Sequence, residues 1–230
     1  MNRWRSPSLA RAFAASRVAA ESSPAGPSFV AATTGVGAMS AASVTKPAVD
    51  VGDVMLLGGI LGTDAASPGF SGGITGWTQV GIDAVVTGLT GVVFFRVVDG
   101  TEGASFLFRD FNTAAVGVRA TLAVYRGVDS ASPIGDFVQA EIDPGATSYA
   151  SGNVTPAAAN SMLVQFCLGA AGTSWTPSAG FAERADDGAT LAIEAADLAV
   201  AATDPVGATA TASGAAVGMT FLVALTPAGA

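Results

Sequence analysis

Between Ala114 and Arg126 the chain alternates without a break. Val116, Val118, Ala120, Leu122 and Val124 fall on one face, and Gly117, Arg119, Thr121, Ala123 and Tyr125 on the other. A period of two over this length marks a β-strand with a buried face. The pattern returns at Ala215–Leu225, where Val217, Met219, Phe221, Val223 and Leu225 take the buried positions in an ungapped alignment. A chain that closes twice on the same long strand reads as two related halves. Other segments repeat in the same order. Met162–Leu168 answers Val54–Gly62, with Met162 matched to Met55; Gly180-Phe181 answers Gly76-Trp77; and Thr190–Leu198 answers Val92–Val98.

Further strands are expected at Phe29–Thr34, Met39–Thr45, Trp77–Ile82, Ala104–Asn112 and Ala208–Ser213, with Asp99-Gly100 as a hairpin signal and Thr63–Gly76 as a long loop. The expected fold is all-β: an antiparallel sandwich of about eight core strands from two pseudo-repeated halves, of the jelly-roll or immunoglobulin-like kind. One domain over residues 28–230 is expected, because four strands alone would leave a core face uncovered. Residues 1–27 read as a basic arm and linker. Within them Ser6 and Pro7 introduce a helix over Ser8–Ala20, with Leu9 and Phe13 on one face. A helix this short needs a partner to form against.

Only 12% of the residues are charged, against about 25% in ordinary soluble domains, so Thr, Ser, Ala and Gly must cover much of the surface. That suits a protein packed in an assembly. The charge is also divided unevenly. Residues 1–21 carry four arginines against one glutamate, a balance of +3, while the remainder carries six basic and seventeen acidic residues, a balance of −11. An acidic body is a poor nucleic-acid binder, since phosphate binding needs clustered Lys and Arg. A basic arm on such a body is suited to docking on an acidic partner. The residues expected to do so are Arg3, Arg5, Arg11 and Arg17 for charge and Trp4, Leu9 and Phe13 for apolar contact. The longest apolar run near the N-terminus is Ala12–Ala15, too short for a signal-peptide core. The C-terminal tract alternates and contains Pro205, so no membrane span is expected.

Chemistry is harder to find. There is no histidine, the usual base near neutral pH. Carboxylates could substitute as pairs, Glu183 with Asp186 or Asp187, Asp99 with Glu102, or Glu141 with Asp143, but each lies in a turn-like context. Gly58–Thr63 has the glycines of a phosphate loop and lacks its lysine. Asp50 and Asp53 fall short of a calcium loop and read as a turn. The single cysteine, Cys167, rules out an internal disulfide and lies in an apolar run, where it reads as a packed side chain. No enzyme activity, cofactor or metal is expected. Trp175, with Phe70 in the corresponding loop of the first half, is the candidate for stacking on a glycan.

Several segments form an ordered set: Val51–Leu56, Gly76–Val80 and Ala123–Ile134, then Asn160–Leu163, Gly180–Arg184 and Ala224–Pro227. Together they resemble a broad family of β-sandwich proteins encoded by tailed phages and prophages, in tail-fibre, minor-tail and head-decoration roles. The resemblance spans residues 45–227. It implies a non-enzymatic, surface-exposed component of the virion, sometimes engaged in host adsorption; the arm adds the expectation of many copies held on other capsid or tail proteins, and the alternative reading is a carbohydrate-binding module that recognises cell-surface glycans. The resemblance assigns no functional residues.

Overall fold

The computed structural model describes residues 25–230 except 38, 65, 72–75, 87, 113–114, 171–172 and 189–190, and of residues 82–86 the backbone only. The arm residues Arg3, Trp4, Arg5, Leu9, Arg11, Phe13 and Arg17, with the helix expected around them, lie outside the described residues. Every described element is a β-strand, and every pairing is antiparallel.

In the first half β1 (Ser28–Gly37), β8 (Val118–Arg126), β3 (Val54–Leu61), β6 (Leu89–Val97) and β5 (Thr78–Val86) lie side by side in that order. A smaller sheet, β2 (Ala41–Thr45), β7 (Ser105–Asp110) and β4 (Pro68–Phe70), folds over the outer face of the first. Pairing first strand with eighth and second with seventh is the folded-over hairpin of a jelly roll.

The second half repeats the arrangement. Its main sheet runs β9 (Ile134–Val154), β14 (Val206–Leu225), β10 (Ser161–Ala170), β13 (Leu191–Val200) and β12 (Ala182–Asp187). Here the folded-over hairpin is continuous. β9 and β14 pair from Ile134↔Leu225 to Val154↔Val206, and bulges between Thr211 and Gly218 stand where the first half breaks its strands. The distal part of this hairpin, with the two-residue β11 (Trp175–Thr176), forms the second flap.

The two main sheets pack face to face. β3 lies over β10, β8 over β13 and β1 over β12, while β14 lies over β6 and β9 over β5, the pattern of a pseudo-two-fold axis. The shared core contains Leu56, Ile60, Tyr125, Phe166, Phe221 and Leu225. Gly58 of β3 has no room for a side chain, because a Cβ would sit 2.5 Å from the Phe166 ring. Each main sheet is thus buried on both faces, and the molecule has four layers. The uncovered core face that argued against autonomous halves is supplied within each half by its own flap. The described residues form fourteen strands, core and flaps together; β4, β9 and β11 add to those the alternation marks, while Ala208–Ser213 and Ala215–Leu225 join into the one strand β14.

The internal repeat holds element by element, with one correction of register. Val54 pairs with Tyr125, and Met162 with Leu225, and all four face the shared core. Tyr125 therefore corresponds to Leu225 and Val54 to Met162. The ungapped sequence alignment sets Val124 against Leu225 and Met55 against Met162, one residue out. In strands buried on both faces the alternation reads equally well in either register, and a slip of one residue exchanges the faces. The Gly76-Trp77 match to Gly180-Phe181 stands: both glycines adopt positive φ, 90° and 85°, and both aromatics pack under the outer flaps.

Candidate functional site

Most candidate residues of the sequence serve structural contacts. Arg126 grips Asp53 through Nε and Nη2, both at 2.9 Å, and pairs with Asp50, so this acidic turn holds a guanidinium. That bond holds the Asp53 carboxyl below its ordinary range. Asp99 and Glu102 close the β6–β7 turn around Arg96, at 3.2 and 3.1 Å. Hydrogen bonds from Thr101, ahead of the nearby arginine, bring Asp99 to about 2. Glu183, Asp186 and Asp187 share no direct partner. Asp187 pairs with Arg119 of the other half, Asp186 accepts the Trp175 backbone N–H at 3.1 Å, and Glu183 is exposed. Glu141 and Asp143 are exposed on β9. Gly58–Leu61 is interior strand, not loop: Gly59 lies against Phe108 as Gly58 does against Phe166.

The paired aromatics do occupy equivalent places. Phe70 sits opposite Phe108 at the edge of the first flap, and Trp175 opposite Ala212 at the edge of the second. Both fold inward. Trp175 is 5% exposed and meets Tyr149 edge-on at 4.3 Å. Phe70 stacks on Trp77 at 4.6 Å and 13°, with Phe94 and Phe108 around it. Stacking on a sugar needs an open ring face; the Trp175 ring is buried, and one face of Phe70 is covered by Trp77.

Two polar groupings were not legible in the sequence. One joins the halves. Buried Asp197 accepts from the Tyr125 hydroxyl at 3.2 Å and from Arg184 Nε and Nη2 at 2.8 Å each, and Arg184 lies 4.3 Å over the Phe29 ring. The other lies between the second main sheet and its flap. Cross-strand registers place Asp186, Glu194, Cys167 and Thr220 in one row across β12, β13, β10 and β14. Gln165 adjoins the row, donating to Thr220 Oγ1 at 3.2 Å and accepting from Ser178 at 2.6 Å. Tyr149, Trp175, Ala210 and Ala212 of the flap pack over Cys167.

Glu194 is the anomaly of the row. It is 1% exposed, and neither carboxyl oxygen has a hydrogen-bond partner; Trp175 Nε1 is buried and unpartnered as well. Burial first, then the charge of Asp186, push the carboxyl up to about 8, with the Cys167 thiol acting in the opposite direction. Burial, reinforced by Glu194, raises the Cys167 thiol well above its ordinary value. That disfavours the nucleophilic thiolate. The first half supplies an internal comparison: its matching row is Ile82, Val92, Gly59 and Ala120, all apolar or glycine. The fold does not require the polar row.

The chain matches no known protein family, no curated protein and no solved structure.

Proposed function

We propose that the protein is a non-enzymatic building block of a tailed-phage particle, docked through its arm (residues 1–27) and presenting the four-layer sandwich at the virion surface. One observation carries this reading. Arg96, Arg119, Arg126 and Arg184 are each paired with a carboxylate of the same body. Beyond these pairs the body keeps its acidic excess of −11, opposite in sign to the arm. Acidic bodies repel one another, so a basic arm gives the assembly its attraction.

Contact between neighbouring copies has support at one corner. Where β1 turns into β2 and β7 gives way to β8, Val36, Met39, Phe111 and Val116 are 57%, 76%, 51% and 83% exposed. Apolar side chains gathered at one corner suit burial against a neighbour. The test is removal of residues 1–22: the truncated body should fold and fail to enter particles. Incorporation at full occupancy would refute the anchoring role.

A further inference from the structure

We propose that the second flap is a proton-operated cover: while Glu194 holds its proton the flap seals the row beneath it, and release of that proton lets the flap lift and exposes the Cys167 thiol. Four features of the structure carry this. Glu194 is buried and faces the flap from the middle of β13, since Ile193 and Ala195 on either side point into the shared core. No donor meets either of its oxygens. An ionised carboxylate so placed has neither water nor partner, and hydration through local opening relieves it.

Of the groups facing Glu194 only the Cys167 thiol favours its charge, and it counts for less than burial and Asp186, which oppose it. β12 presents Asp186 and Glu183, both of which oppose ionisation. β10 presents the Cys167 thiol, β14 the Thr220 hydroxyl, and the flap Tyr149 and Trp175. Arg119 and Arg184 are engaged elsewhere, on Asp187 and Asp197.

Tyr149 and Trp175 anchor the flap from β9 and β11, and its β14 strand is the lightly held part. Over Gly59 the first half lays the Phe108 ring, and the residue equivalent to Phe108 in the second flap is Ala212. Alanines at 208, 210 and 212 line the inner side of the second flap. Alanine buries little apolar area, so a segment resting on it opens at lower free energy than an aromatic one.

Cys167 is the chain's only cysteine, so alkylation reads opening at one known place. The probe is iodoacetamide, on the full-length protein from pH 5 to 9, with rates divided by those of the urea-unfolded chain at the same pH. This division removes the thiol's own ionisation. In the wild type the protection should fall about tenfold per pH unit on the way to pH 8, and low urea should leave it unchanged. In Glu194→Gln it should be constant with pH. Glu194→Val, which copies Val92 of the first half, should behave as Glu194→Gln does. A pH dependence that survives both substitutions overturns the proposal. So does protection that falls with urea as steeply as global stability, because the thiol is then exposed only by unfolding.

Discussion

Adding one methyl group at Gly58 tests the stacking of the two halves. The backbone there is ordinary strand, so alanine in open space would stabilise by about 0.5–1 kcal/mol through the unfolded chain. Space is what Gly58 lacks: a Cβ meets the Cδ1, Cγ and Cε1 atoms of Phe166 at 2.5, 2.8 and 2.9 Å. Real Cβ atoms do not sit that close, so a ring buried to 0% exposure must move within a filled core. Such overpacking costs about 1–3 kcal/mol. Gly58→Ala should therefore destabilise by about 1–2 kcal/mol once the gain is subtracted. Phe166→Ala should cost about 3–5 kcal/mol by leaving a cavity. In the Phe166→Ala background the clash disappears, so Gly58→Ala should become neutral or stabilising. The coupling in this double-mutant cycle is then about 2 kcal/mol. Urea unfolding of all four proteins, in a common stabilising osmolyte, measures it. Additivity within about 0.5 kcal/mol would mean that β3 and β10 do not face each other.

Three further outcomes follow from the polar groupings. Glu194 carries its proton in the folded chain up to about pH 8 but only to about its ordinary 4.5 when unfolded. The folded state thus binds the extra proton between those values, and the stabilisation, complete below pH 4.5, is lost as pH rises to about 8. Relative to their difference at pH 4, Glu194→Gln should gain on the wild type by about 3 kcal/mol at pH 7, read by urea unfolding at both pH values; parallel pH profiles would show that Glu194 titrates alike in the folded and unfolded chain. Asp197→Ala leaves Arg184 and the Tyr125 hydroxyl without their acceptor and should lower stability by about 2–4 kcal/mol, whereas Tyr125→Phe should cost about 1 kcal/mol. Thermal unfolding separates the two, and equal effects would contradict the central place given to Asp197.

Alternation was enough to read the strand class, the repeat and most of the strands, because a period of two is a local property of the chain. It could not read register. Val118–Tyr125 and Met162–Leu168 are buried on both faces, so nothing in the pattern marks which side meets the other half. β9 was missed for a related reason: it is an edge strand of mixed exposure, rich in Gly and Ser and interrupted by Pro144, and lacks the apolar run of an interior strand. The polar row lay hidden because Gln165, Cys167, Glu194 and Thr220 come from three separate strands. Only the corrected register shows that Glu194 and Cys167 replace Val92 and Gly59 of the first half. Asp186 could be listed as an acidic candidate from sequence, but its place beside a buried glutamate is a fact of pairing.

The most direct test of the assembly role is quantitative mass spectrometry of phage particles purified from the cell that encodes the chain, once with the full protein and once with residues 1–22 deleted. The full chain should be present at a fixed stoichiometric copy number, and the truncated chain should be lost from particles although it remains folded in the lysate. Absence of the full chain from particles, or equal incorporation of both forms, would contradict the assembly role.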